Sequence, residues 1–109
     1  QVLVSMSGKR SKGRLAAYSA SKFALLGLCQ TMRNEGWAAG IRVTAICPGW
    51  VNTDMAAAVR SGPSDRWPTQ SMEAEAMTQP EDIASMSAEL LRLPNRAVPF
   101  ELAVSSSLE

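Results

Sequence analysis

The chain has 109 residues, 46% hydrophobic and 19% charged, with a formal net charge of +1. That balance describes a folded globular segment and exerts no global pull toward nucleic acid or acidic surfaces. Two cysteines, Cys29 and Cys47, and no histidine give no basis for a disulfide framework or a Cys/His zinc site.

The expectation for the thiols is burial as free cysteines in a cytoplasmic protein. No apolar run approaches the about 20 residues of a membrane span, and no basic-then-apolar leader opens the chain. Gln1 is not an initiator Met and leads directly into a strand, so the chain reads as the back part of a longer one.

Residues 2–5 read as a short buried strand, apolar without alternation, as a parallel sheet covered on both faces requires. Ser5 stands at its carboxyl end, where open α/β sheets place their ligands. Ser5, Ser7 and Gly8 suit a simple turn as well. The basic cluster Lys9, Arg10, Lys12 and Arg14 follows. It has no interleaved aromatic residues, which argues for a solvated loop over a nucleic-acid patch. Gly8-Lys9-Arg10 also lacks the upstream glycine and following Ser/Thr of a phosphate loop.

From 15 to 38 the spacing predicts a helix. Tyr18, Lys22, Leu25, Cys29 and Met32 repeat at i+3/i+4 and form one stripe. A second stripe, Ala16, Ala20, Phe23, Ala24 and Gly27, carries small side chains that permit close helix approach. Gly36 and Gly40 are expected to end the helix through their tolerance of positive φ. Tyr18 and Lys22, one turn apart, point to the same side. A free phenol has a pKa of about 10, and a nearby cation favours its ionised form, which makes tyrosine a usable general acid/base. A YxxxK pair alone is weak evidence, but this one has companions.

Residues 41–47 alternate and are β-branched, a strand that Pro48-Gly49 breaks. The loop 49–54 leads into a segment, 56–79, with only short helical patches. Trp50, Trp67, Met72 and Met77 are candidates there for pocket lining or for core packing. Thr53 or Asp54 would serve as an N-cap. Pro80-Glu81-Asp82 opens a helix over 83–93, with Ile83, Met86, Leu90 and Leu93 on its buried face. Residues 98–104 form a last strand.

Ser5 lies thirteen residues before Tyr18, and Pro48-Gly49 begins thirty residues after it. In type, order and spacing, VLVSMSG, YSASK and CPGWVNTDM resemble the short-chain dehydrogenase/reductase family. The resemblance spans nearly the whole chain but only the C-terminal half of the family's fold. It implies an α/β architecture, the C-terminal part of a Rossmann-like doubly wound parallel sheet: strand, helix, strand, variable helical insertion, helix, strand. Residues 1–109 would form the catalytic half, 50–79 the substrate lid, and the cofactor-binding half would lie elsewhere.

The family's roles then fall on matching positions. Tyr18 would be the general acid/base, Lys22 would lower its pKa and hold the nicotinamide ribose, and Ser5 would orient the substrate. Pro48, Gly49, Val51 and Thr53 would contact the nicotinamide end of NAD or NADP. The helix carrying Tyr18 would pack against another subunit in a homodimer or homotetramer, with a small-molecule carbonyl or alcohol as substrate and no nucleic acid or membrane partner. Relatives often have Asn where Thr44 stands, a mainly structural position.

No glycine-rich dinucleotide turn follows a strand in this sequence. The 109 residues alone are therefore expected to be inactive. The alternative from another class is a non-catalytic fragment that serves only as a folding or subunit-interface module. A basic-loop binding module is a third reading.

Overall fold

A computed structural model describes residues 1–11, 13–62 and 73–106. Three parallel strands form one sheet in the order β1 (Val2–Leu3), β2 (Ala45–Pro48), β3 (Glu101–Val104). Val2 pairs with Ala45, and Ala45 in turn with Glu101. The connections are helical: α1 (Ala16–Gly36) joins β1 to β2, while α2 (Asp54–Arg60) and α3 (Pro80–Arg92) lie between β2 and β3. Parallel strands need such long crossovers, and sequence-adjacent strands here are also neighbours in the sheet.

Regular pairing is shorter than the apolar runs. Beyond the strand ends, Val4 N–H donates to the Ile46 carbonyl at 2.7 Å and Ala45 N–H to the Phe100 carbonyl at 2.7 Å. The runs at 2–5 and 98–104 thus contain their strands, whereas β2 begins only at Ala45 and, contrary to the expected break, takes in Pro48, which pairs with Val104.

Central β2 shows why the chain needs covering on both faces. Val43 through Cys47 are all buried. Val43, Ala45 and Cys47 join Val4, Leu26 and Cys29 in a core under α1, with Leu25, Met32 and Phe100 packed at its margin. Ile46, one residue out of phase, takes the opposite face. Thr44 is buried too, and its hydroxyl donates to the Pro99 carbonyl at 2.7 Å, a purely structural contact. Both thiols are free and buried.

The helix ends have distinct causes. Gly40 has φ 73 and closes the 3₁₀ turn that follows α1, a backbone state glycine adopts without a Cβ penalty. Gly36 differs from the expectation: its φ is −84, and what it supplies is room. A Cβ there would stand 2.9 Å from the Ile41 Cβ. At α3, Gln79 and Asp82 form a reciprocal capping box with Pro80 in the first turn. Its buried anchor is Ile83, whereas Leu93 lies past the helix end and is exposed.

The second stripe of α1 is exposed, with Phe23 about half accessible, as is Leu28 beside it. Among the described residues no helix is long and apolar enough to cross a membrane.

Candidate active site

At the carboxyl ends of β1 and β2, a cavity of about 490 Å³ opens between the two strands, α1 and α2. The sequence candidates Ser5, Tyr18, Lys22, Pro48, Gly49, Val51 and Thr53 all line it. They arrive from three stretches of the chain, and topology explains the meeting. Parallel strands deliver Ser5 and Pro48-Gly49 to one edge, and α1 lays its first turns across that edge.

Ser5 follows β1, where the chain turns into a 3₁₀ turn at Met6–Gly8. Its Oγ accepts a hydrogen bond from the Ser7 backbone N–H at 3.1 Å. That bond fixes the oxygen and leaves the hydroxyl proton for another partner. Tyr18 stands in the first turn of α1, with its side chain partly accessible from the cavity. Lys22 Nζ lies 5.7 Å from the Tyr18 ring centroid, so phenol and ammonium share one face of the helix.

On the facing wall, Val51 makes an isolated parallel bridge with Thr78: Asn52 N–H donates to the Thr78 carbonyl and Thr78 N–H to the Trp50 carbonyl. Val51's own N–H is left without a partner among the described residues. Thr53 is the N-cap of α2, its hydroxyl accepting from the Ala56 N–H at 3.3 Å.

Apolar side chains complete the wall. Trp50 lines the cavity, as do Leu15, Met55 and Val59, which the sequence reading did not single out. Met55 and Val59 are one turn apart on α2, a spacing that would have revealed them once the helix was placed. Met77 is instead buried core, with its sulfur 3.4 Å from an Arg60 guanidinium nitrogen. Trp67 and Met72 lie outside the described residues, as does Lys12.

The basic cluster divides in the structure. Lys9 pairs with Glu101, which holds its pKa above the ordinary value, while Arg10 reaches the cavity rim. Arg14 takes a left-handed φ of 65 just before Leu15 and α1.

Beneath the cavity, burial pushes the Cys29 and Cys47 thiols up from their usual range. The nearby Cys47 adds to the rise at Cys29, and a backbone interaction with Ser5 partly offsets the effect of burial at Cys47. Cys29 and Cys47 are packing residues, not nucleophiles.

Comparison with known proteins places the chain in a family. Residues 2–64 match the family model described as short chain dehydrogenase. Agropine synthesis reductase of Rhizobium rhizogenes is 40% identical over 93 residues, 85% of this chain and 19% of the relative. Acetoacetyl-CoA reductase of Paracoccus denitrificans is 35% identical over 80 residues, 73% of this chain and 33% of the relative.

Among solved structures, a variant of actinorhodin polyketide ketoreductase with NADPH superposes with a TM-score of 0.79 at 35% identity. That match covers 97% of this chain and 45% of the ketoreductase. The chain thus spans less than half the length of these relatives, and the residues matched by the family model include Ser5, Tyr18, Lys22 and the 48–53 loop. With the matched model covering more than half of its residues, the chain belongs to the short-chain dehydrogenase family.

Proposed function

We propose that this chain carries the catalytic half of a nicotinamide-dependent oxidoreductase that interconverts a carbonyl and a hydroxyl group. The observation that carries the reading is the single cavity that gathers Ser5, Tyr18, Lys22 and the 48–53 loop. The relatives named above are reductases, which favours ketone reduction as the working direction.

The residues present fit the nicotinamide end of NAD or NADP. The Val51 N–H, which has no partner among the described residues, would bind a carboxamide, and Lys22, with no carboxylate partner among them, would take the ribose hydroxyls. Pro48 and Gly49 would form the floor of this subsite, and the Thr53 hydroxyl would add a contact beside its capping role. When bound, the nicotinamide supplies or accepts the hydride.

The remaining work belongs to side chains. In reduction Tyr18 gives its phenol proton to the substrate oxygen, and in oxidation it takes that proton back. The Ser5 hydroxyl, already anchored by Ser7, donates to the same oxygen and orients it. Lys22, on the Tyr18 face of α1, stabilises negative charge on the phenol oxygen as the proton departs.

Residues 50–79 would act as the substrate lid, with Trp50, Met55 and Val59 as its apolar lining. The exposed Phe23–Leu28 face of α1 would pack against a second subunit in a homodimer or homotetramer.

Reduction of a panel of small ketones and β-ketoacyl thioesters, followed as oxidation of NADH or NADPH, tests this reading on the intact enzyme. Turnover with at least one cofactor is expected. Lys22→Ala should weaken cofactor binding at least about tenfold, the loss of one charge-assisted contact, and lower kcat as well. An enzyme without nicotinamide-dependent turnover, or a Lys22→Ala variant with parental cofactor affinity, would contradict it.

A further inference from the structure

Gly8 is buried at the point where the Ser5 turn meets α1. A Cβ built on it would stand 2.8 Å from the Lys22 carbonyl oxygen, 3.1 Å from the Lys22 carbonyl carbon and 2.8 Å from Val4 Cγ1. Favourable carbon contacts begin near about 3.5 Å, so these separations are collisions. One neighbour is the β-branched side chain of Val4, buried in the core, and the other is the backbone of a helix, which cannot rotate away. Val4 immediately precedes Ser5, and Lys22 lies one turn beyond Tyr18. Gly8 is therefore wedged between the segment that presents Ser5 and the helix that presents Tyr18 and Lys22.

We propose that Gly8 is a positioning residue whose missing side chain sets the approach of α1 to the Ser5 turn, and with it the spacing at which Ser5 and Tyr18 share one substrate oxygen. This inference rests on the function proposed above. A methyl group at position 8 would push α1 outward as a unit. Tyr18 and Lys22 would keep their mutual geometry, because both ride on the same helix, while Ser5 would fall out of register with them. Relief of the overlap requires a displacement of roughly half an ångström. Misplacement by about 1 Å can cost about 10²-fold in rate, so a loss of about tenfold in kcat is expected. Gly13 shows the contrast, since nothing lies within 4 Å of a Cβ built there.

The test is a double-mutant cycle on the intact enzyme: parent, Gly8→Ala, Ser5→Ala and the double variant. It is assayed with NADH or NADPH and a ketone the parent reduces. The readout is kcat and KM per folded molecule, with the folded fraction taken from circular dichroism.

Gly8→Ala should lower kcat about tenfold with little change in KM. In the Ser5→Ala background the same substitution should cost less than about threefold, because the geometry it disturbs has already lost one partner. An equal kcat loss in both backgrounds, or a parental kcat per folded molecule, would overturn the proposal. Should Gly8→Ala not fold, Gly8→Ala with Val4→Ala removes the side-chain collision, keeps the one with Lys22, and enters the same cycle. A parent lacking nicotinamide-dependent turnover would overturn the functional reading and this inference together. Parental catalysis with an uncoupled Gly8 effect would overturn this inference alone.

Discussion

Ser5 and Tyr18 illustrate how little freedom the site leaves to its residues. The Ser5 oxygen is held by the Ser7 N–H, and Tyr18 is carried by a 21-residue helix packed on the sheet. The two buried thiols below them lend themselves to a different test. Burial raises the pKa of both Cys29 and Cys47, with 9.0 as the ordinary thiol value. The unfolded chain therefore releases those protons first. Stability from the buried neutral thiols is complete below about pH 9 and is lost as pH rises through the folded values. Urea unfolding of the intact enzyme should show a fall in stability above about pH 9 that Cys29→Ala reduces. The native thiols should also resist Ellman's reagent at neutral pH. Rapid native labelling of Cys47 would contradict its placement in the core.

At the scale of elements, the termini of α1 separate conformational from steric reasons for glycine. Gly40→Ala places a Cβ on a residue with φ 73 and should destabilise the intact enzyme by about 1 kcal/mol, with Gly40→Asn costing less. Equal midpoints for the Ala variant and the parent in urea would contradict this.

The same turn shows what a sequence can and cannot disclose. The period of Tyr18, Lys22, Leu25, Cys29 and Met32 was enough to place α1, because helical periodicity is local, but the buried side is centred on Ser19, Leu26 and Cys29, with Leu25 and Met32 only at its margin. Pro48-Gly49 and the Pro80-Glu81-Asp82 start were legible for the same reason. Gly8 and Gly36 were not, since each answers to a neighbour that only folding brings near: Lys22 for one, Ile41 for the other. Strand limits were also hidden, because ladder length depends on the partner strand as much as on the strand itself. Leu15, Met55 and Val59 joined the cavity wall only once the helices were set against the sheet.

As a whole, the molecule resembles a slice through a larger sheet. Its radius of gyration is 15.4 Å, above the about 13 Å of a compact domain of this length. Leu3 on the outer strand β1 is 59% exposed, and Phe23 and Leu28 on α1 are about half exposed. These surfaces are apolar enough to need covering, and the relatives are more than twice as long as the matched segment. What the slice retains is the edge where β1, β2 and α1 meet, and the catalytic assignment stands on that edge.

Single-turnover reduction by the intact enzyme carrying Tyr18→Phe tests it most directly. That substitution removes the transferable proton and leaves the cavity shape. The rate should fall by about 10²–10⁴-fold, the usual contribution of general acid/base catalysis, with cofactor affinity nearly unchanged. A Tyr18→Phe enzyme that reduces substrate within about threefold of the parent rate, below even the smallest such contribution, would contradict the account.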